Sequence, residues 1–229
     1  MEQMQILLAI LVLLPFVSAL LLALCGSDRM RRLIVYGSAG VLMISAVAFA
    51  VCFFSGENLQ LRFLQSGGII DHTMLALEAG FAVLITVLSI KYRRYYVAVL
   101  SIVQTVLTFV YELGGYKPAV QPYNLFTDQL TVIMVLIIAV VGTLITVYAV
   151  GYMRDYHNHH KEYADRRRFF FAMLYVFLGA MFGLVLSNSL LWLYFFWEIT
   201  SLVSFLLIGY TRTKEAVQNS FRALWMNLL

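Results

Sequence analysis

The chain has 229 residues, of which 62% are hydrophobic and only 12% are charged, and its mean hydropathy is +0.85. A water-soluble domain of this length cannot bury so much apolar surface, so the composition excludes a soluble fold and predicts a protein that folds in lipid. The net charge of +4 does not indicate a nucleic-acid partner, because the basic residues stand in short segments between apolar runs, where they orient helices.

Apolar runs of about the length that crosses a bilayer as a helix follow one another along the chain. The runs span residues 6–24, 33–54, 73–90, 97–111, 125–150, 169–187 and 190–209, and an eighth begins near Ala216. The fourth is the weakest, because it is short and contains Gln104. The predicted fold class is an all-α, polytopic transmembrane bundle of seven spans and the start of an eighth. Since the sequence stops at Leu229 inside an apolar stretch, we expect it to belong to a longer product.

The distribution of lysine and arginine predicts the orientation of these helices. The segments after the first, third, fifth and seventh runs contain 13 basic residues, whereas those after the second, fourth and sixth contain only Arg62 and Lys117. Basic segments stay in the cytoplasm, so the N-terminus is predicted to lie outside a multi-pass protein of the plasma membrane. The first run follows the acidic Glu2 and lacks a cleavage pattern, which favours a retained helix over a cleaved signal.

Glu198 is the charged residue that matters most, because it lies near the middle of the run 190–209. A charged side chain at that depth costs about 2.5–3.5 kcal/mol on insertion scales, so it indicates either a partner or an ion path. Tyr194, one turn earlier, and Ser201, one turn later, lie on the same helical face and can hydrogen bond a carboxyl or hold water. The alternative is a protonated glutamic acid that joins two helices without transport.

Two further acids are secondary candidates for ion translocation. Glu78 lies in the outer third of the third run, and Asp128 lies near the outer start of the fifth. At these depths either side chain could reach headgroups or water by snorkelling. Asp128 is equally suited to the positive N-terminal end of its helix.

No cofactor or metal is expected in this chain. The two cysteines, Cys25 and Cys52, fall near opposite membrane faces, which excludes a disulfide between them and provides no cluster ligands. A group of possible metal ligands follows the fifth run: His157, His159, His160, Glu162 and Asp165. We interpret it as part of a solvated cytoplasmic loop, residues 151–168, without a metal.

Glycines and a mixed segment give two further expectations. Gly179 and Gly183 are four residues apart, a spacing that lets another helix approach closely. The segment 55–72 mixes apolar and polar residues and is predicted to lie along the outer surface, with a turn at Gly67 and Gly68.

From about Tyr123 to Leu229 the sequence resembles the antiporter-like membrane subunits shared by respiratory complex I, Mrp-type sodium/proton antiporters and energy-converting NiFe hydrogenases. The resemblance is carried by ordered motifs: YNLFTDQLT at 123–131, GYMRDY at 151–156, RRFFFAMLYVFLGAM at 167–181, LSNSLLWLYFFWE at 186–198 and SLVSFLLIGY at 201–210. It implies that Glu198 is the intramembrane carboxylate of a half-channel. Two helices usually precede the DxLT helix in this family, whereas four precede it here, and the family's partner lysine is expected beyond Leu229.

The resemblance implies two regions, an N-terminal four-helix membrane region at 1–120 and the start of an antiporter-like ion-translocating module at 121–229. It also implies a non-catalytic subunit of a redox-driven proton- or sodium-translocating complex, most similar to energy-converting hydrogenases or complex I. Its partners would be other membrane subunits and a peripheral hydrogenase or dehydrogenase module. Two alternatives stay open: a truncated, non-conducting membrane scaffold, and a subunit of a Mrp-type sodium/proton antiporter.

Overall fold

The computed structural model describes residues 2–55, 61–65, 69–113 and 123–228, and within these ranges the chain is almost entirely helical. The helices are α1 (Glu2–Leu24), α2 (Asp28–Ser55), α3 (Ile69–Lys91), α4 (Tyr95–Leu113), α5 (Gln129–Ile137), α6 (Thr143–His159), α7 (Arg167–Leu186), α8 (Leu190–Ile208) and α9 (Lys214–Leu228). A π-helical turn, Ile138–Gly142, joins α5 to α6 into one continuous span. Two short strands, β1 (Leu61–Gln65) and β2 (Tyr123–Thr127), pair with each other.

Six of the described helices are long and apolar enough to cross a membrane, and α4 is a shorter apolar helix. Large apolar side chains remain exposed along them, including Leu13 at 59%, Ile44 at 71% and Leu107 at 63%. Surfaces of this kind are stable against lipid tails and not against water. The prediction of a polytopic helical membrane protein is therefore confirmed.

The structure corrects three local predictions. The fifth run does not begin as a helix at Leu125, because residues 123–127 form β2 and the helix begins at Gln129, after Asp128. Two strands were not expected from the sequence. The histidine-containing loop is shorter than predicted, because α6 continues to His159, with the rings of Tyr148, Tyr152 and Tyr156 stacked along successive turns.

Two smaller predictions concern the cysteines and the segment that follows α2. Cys25 and Cys52 are both free thiols in the structure, and their predicted position near opposite membrane faces stays a prediction. The predicted turn at Gly67 and Gly68 lies outside the described residues.

By their contacts the helices form two units, and the first comprises residues 1–62 and 126–186. In it α1 packs against both α2 and α7. A Cβ added to Gly179 would lie 2.9 Å from the ring of Phe16, so the expected close approach of another helix is confirmed at this glycine. Buried polar bonds also join the helices, since the hydroxyls of Ser38 and Tyr175 lie 2.6 Å apart and Tyr175 donates to the carbonyl of Val35.

The second unit comprises residues 63–125 and 187–229 and contains α3, α4, α8 and α9. The hairpin α3–α4 packs against α8 through α3 and against α9 through α4. The apolar core of the unit is one cluster: Ile85, Val97, Leu202, Phe205, Phe221 and Leu224. This cluster fixes α3 beside α8, the helix that contains Glu198. The division of the sequence at residue 120 into two functional regions stays a prediction.

Candidate functional site

The helix α8 positions Glu198 within the second unit. It begins after Ser189, whose side chain accepts a hydrogen bond from the backbone N–H of Trp192 at 3.3 Å, and it continues to Ile208. Glu198 lies near its midpoint, and only 4% of the residue is exposed. The prediction that this carboxyl lies deep in an apolar helix agrees with the structure.

Tyr194 supplies the hydrogen bond to this carboxyl. Its hydroxyl donates to Oε1 of Glu198 at 3.3 Å, across one turn of α8. The other carboxyl oxygen, Oε2, is buried and has no hydrogen-bond partner among the described residues. One side of the carboxyl is therefore held by Tyr194.

Glu78 joins the same site from α3. Only 1% of this residue is exposed, and its carboxyl acts electrostatically on both Glu198 and Tyr194. The expectation that Glu78 snorkels to headgroups or water is wrong, because α3 turns it toward α8 instead of toward the membrane surface. Packing of this kind depends on which helices are neighbours, and the sequence of one helix does not specify them.

Gln104 of α4 is a member of the site that the sequence analysis missed. Its side chain hydrogen bonds the hydroxyl of Tyr194, so the hairpin α3–α4 contributes one acid and one amide. The only signal in the sequence was a polar residue within the short fourth run, and it was read as a weakness of that span. A buried amide of this kind needs partners, which is a reason to look for other polar groups at its depth.

Ser201, the remaining predicted member, is buried one turn after Glu198. Among the described residues, the hydrogen bond to Glu198 comes from Tyr194 and not from Ser201. Ser201 therefore shares the buried face, and the described structure gives it no hydrogen bond to the carboxyl.

Asp128 belongs to the first unit and acts as a helix cap. Its carboxyl accepts from the backbone N–H of Thr131 at 2.7 Å and from the hydroxyl of the same residue at 2.8 Å. These two bonds hold the pKa of Asp128 below its usual range, with the backbone N–H contributing most. The geometry matches the expected stabilisation at the positive end of a helix.

The histidines near the end of α6 take part in ordinary polar contacts. Nε2 of His157 lies 3.8 Å from Asp165, and Nδ1 of His159 lies 2.8 Å from the backbone carbonyl of Asp155. Asp165 is bound by the guanidinium of Arg167 at 2.7 Å, and this bond lowers the pKa of Asp165 to about 2. In the parts of the chain that the structure describes, no three His, Cys, Asp or Glu residues are grouped to hold a metal ion.

Two acids, a phenol and an amide thus meet inside an otherwise apolar helical unit. Burying a carboxylate without compensation is unfavourable, and a second carboxylate beside it adds repulsion. Such a site favours uptake of a positive species, either a proton or a small cation with a preference for oxygen ligands. The described residues around it include no activated nucleophile and no phosphate-binding loop.

Comparison with known families matches the segments that the motifs indicated. Residues 121–170 match the family described as NADH-ubiquinone oxidoreductase (complex I), chain 5 N-terminus. Residues 187–229, which include α8 and α9, match the family described as NADH:quinone oxidoreductase/Mrp antiporter, transmembrane.

Similar curated proteins are named as subunits of sodium/proton antiporters. Na(+)/H(+) antiporter subunit A1 of Staphylococcus haemolyticus (strain JCSC1435) is 34% identical over 122 residues, which cover 53% of this chain and 14% of that protein. Na(+)/H(+) antiporter subunit A1 of Staphylococcus aureus (strain JH9) is 28% identical over 161 residues, which cover 63% of this chain and 19% of that protein. The chain therefore spans less than a fifth of the length of these relatives.

The motifs, the two matched segments and the named relatives all indicate an antiporter-like membrane subunit, and the apolar helices are consistent with a membrane protein. The chain is a multi-pass plasma-membrane protein, and its segments 121–170 and 187–229 are similar to the antiporter-like membrane subunits of complex I and Mrp antiporters.

Proposed function

We propose that this chain is part of an ion-translocating membrane subunit of the Mrp sodium/proton antiporter type. The observation that carries the proposal is Glu198, which is buried at mid-helix and whose Oε1 accepts a hydrogen bond from Tyr194, while Oε2 is bonded by none of the described residues. The names of the relatives support this type over the others in the family, because they are antiporter subunits.

In this proposal Glu198 alternates between a protonated and an ionised state as the transported ion passes. The ionised state is costly at this depth, by about 2.5–3.5 kcal/mol on insertion scales, so it is stabilised only while a cation or a hydrogen-bond donor is close. Tyr194 is the donor that stays in place. The free energy for net transport comes from an existing ion gradient, and 100 mV supplies about 2.3 kcal/mol for each charge.

A redox-driven complex of the hydrogenase or complex I type is the second candidate. It is favoured by the description of the first matched family, which names complex I. In that case a peripheral dehydrogenase or hydrogenase module would be a partner, and electron transfer in that module would supply the energy. Both candidates place the chain among other membrane subunits.

Purification of the native complex separates the two candidates. A tagged chain is extracted in mild detergent, and the proteins that copurify are identified by mass spectrometry. We expect membrane subunits without an NADH-oxidising or hydrogen-oxidising module. Stoichiometric recovery of such a module would favour the redox-driven candidate.

We also propose the complete topology, with seven spans, the start of an eighth in α9 and the N-terminus outside. Cys25 follows α1 and should therefore face the cytoplasm, whereas Leu190, 63% exposed at the start of α8, should face outward. A membrane-impermeant maleimide added to intact cells should label L190C in a chain without other cysteines. It should label Cys25 in the C52S variant only after the membrane is inverted, and the reverse pattern would refute the orientation.

The role of Glu198 is tested by E198Q, which keeps the size of the side chain and removes its ability to ionise. Transport is measured in inverted membrane vesicles as the sodium-dependent collapse of a pH gradient. We expect loss of transport with normal amounts of protein in the membrane. The matched control is E215Q, since Glu215 is an exposed glutamate of the same unit. Unchanged transport in E198Q would refute the proposal.

A further inference from the structure

We propose that one end of the second unit binds the headgroup of an anionic phospholipid between two basic turns. The first turn, residues 92–94, joins α3 to α4, and the second, residues 209–213, joins α8 to α9. A lipid bound here is a partner of the chain whether or not the chain translocates ions. We name this surface the basic end, and it comprises six residues: Lys91, Arg93, Arg94, Arg212, Lys214 and Arg222.

Aromatic contacts bring the two turns to the same end of the unit. The ring of Tyr92 packs against Phe221 with centroids 5.5 Å apart, and the ring of Tyr96 packs edge-on against Trp225 with centroids 6.5 Å apart. Val97 lies in the core cluster together with Phe221. The basic residues of the two turns are therefore held at one end of the unit by its packed core.

The charges of the basic end are accessible and are not neutralised by neighbouring acids. Five of the six side chains are exposed, and Arg94 is partly exposed. None of the six forms an ion pair with a described residue. Glu215 is the only acid in the segments 91–96 and 209–228. In the first unit, by contrast, Arg167 is paired with both Asp28 and Asp165. The basic end therefore leaves several cations available to an anion from outside the chain.

Each turn also places an arginine at a backbone position that favours glycine. The φ angle is +57° at Arg93 and +58° at Arg212, in the left-handed region that side chains disfavour. In the part of the chain that the structure describes, no other residue except glycine has a positive φ. The turns thus retain a guanidinium where the backbone alone would favour glycine, which supports a use for these two charges.

The surroundings of the basic end favour a lipid phosphate over a soluble anion. Large side chains that suit lipid are exposed beside it, namely Ile90, Tyr95 and Met226. A phospholipid carries its phosphate at the level where the apolar surface of a helix ends, so guanidinium groups can bind the phosphate while these side chains contact the acyl chains. In the proposed topology this end faces the cytoplasm, where the anionic lipids of the leaflet attract basic groups.

The test compares phospholipids that differ in headgroup charge. The native complex is reconstituted in phosphatidylcholine vesicles that contain a trace of photoreactive phosphatidylglycerol, or of photoreactive phosphatidylcholine with the same acyl chains. Cross-linked peptides are identified by mass spectrometry, and their yield is followed as unlabelled competitor is added. We expect phosphatidylglycerol to label residues 91–96 and 212–226, and to be displaced by unlabelled phosphatidylglycerol but not by phosphatidylcholine or inorganic phosphate. Added salt should weaken this labelling, because it screens exposed charges.

Two double substitutions with the same change in net charge locate the site. R93Q/R212Q should raise the phosphatidylglycerol needed for half-maximal competition by about 25-fold, since each basic residue near an anionic membrane surface contributes about 5-fold. The matched control, R29Q/R32Q, removes two exposed arginines of the first unit and should leave the competition unchanged. R93G/R212G should show the same loss as R93Q/R212Q, and it preserves the fold because glycine adopts a positive φ without strain.

Equal labelling of the basic end by the two photoreactive lipids would overturn the proposal, and this comparison needs no substitution. Displacement by inorganic phosphate would also overturn it, because the surface would then be a site for soluble anions. An equal loss in R29Q/R32Q would show a general effect of net charge, and absence of labelling by both lipids would show that another subunit covers the turns; either result refutes the lipid site. E198Q should bind the lipid as the wild type does, so the outcome is separate from that of the transport assay.

Discussion

Replacing Tyr194 by phenylalanine tests whether one hydroxyl tunes the buried acid. The substitution keeps the ring and removes only the oxygen that donates to Glu198 at 3.3 Å and that Gln104 also binds. Two hydrogen bonds are lost together. Glu198 is then left with neither carboxyl oxygen bonded by a described residue.

The expected size of the effect follows from these two bonds. A typical net hydrogen bond contributes about 0.5–1.5 kcal/mol, and the 3.3 Å separation is longer than the usual hydroxyl bond, which places it near 1 kcal/mol. Loss of one or both bonds therefore raises the free-energy barrier to ion transport by about 1–2 kcal/mol. Because about 1.4 kcal/mol corresponds to a factor of ten, transport should slow by about 5-fold to 30-fold.

The assay is the sodium-dependent collapse of a pH gradient in inverted vesicles, with Y92F as the matched control. Tyr92 belongs to the same unit and packs its ring against Phe221 at a centroid distance of 5.5 Å. Y92F should transport at the wild-type rate. If Y194F also transports at that rate, the hydroxyl has no part in transport. If its loss is as complete as that of E198Q, Tyr194 does more than position the carboxyl, and the reasoning from hydrogen-bond energies fails.

Three further predictions concern the first unit and its cytoplasmic end. G179V should lower the free energy of unfolding in detergent by about 1–3 kcal/mol, because the new side chain meets the ring of Phe16. G151A should not lower it, because a Cβ at Gly151 meets no atom within 4 Å. D128A should cost about 0.5–2 kcal/mol in the same assay through loss of the helix cap, and D128N should retain most of the stability. The lowered pKa of Asp165, about 2 against 3.8, stabilises the folded state above pH 4, and this contribution disappears as pH falls toward 2. D165N should therefore have a lower melting temperature than the wild type at pH 7 and the same melting temperature near pH 2. The difference at pH 7 should be modest because Asp165 is half exposed. Equal melting temperatures at pH 7 would contradict the argument.

The spans were predictable because lipid imposes a length scale that a linear sequence displays directly. Each predicted apolar run lies within or overlaps an observed helix, and α5 with α6 forms one helix despite the π-helical turn inside it. The start of α5 was placed too early because apolar residues 125 and 126 belong to a strand. Hydropathy does not distinguish an apolar strand from the first turn of a helix, whereas the cap by Asp128 does.

The site was only half predictable from the sequence. Glu198 and Tyr194 stand one turn apart on one helix, so helical geometry alone relates them. Glu78 and Gln104 come from two other helices, and their approach depends on the packing of α3 and α4 within the second unit. A hydrophobic run fixes how deep a residue lies but leaves open the direction in which it faces. For this reason Glu78 was expected at the headgroups and is in fact buried.

The physical balance of the second unit favours a functional explanation for its buried acids. Its apolar core of six residues packs α3, α4, α8 and α9 without any need for a carboxyl. Replacing buried charged groups by apolar residues of similar volume is often neutral or stabilising, so packing alone gives no reason for two glutamates beside each other. Oε2 of Glu198 has no hydrogen-bond partner among the described residues. This balance supports the proposal that the acids are kept because they can hold a positive charge inside the membrane.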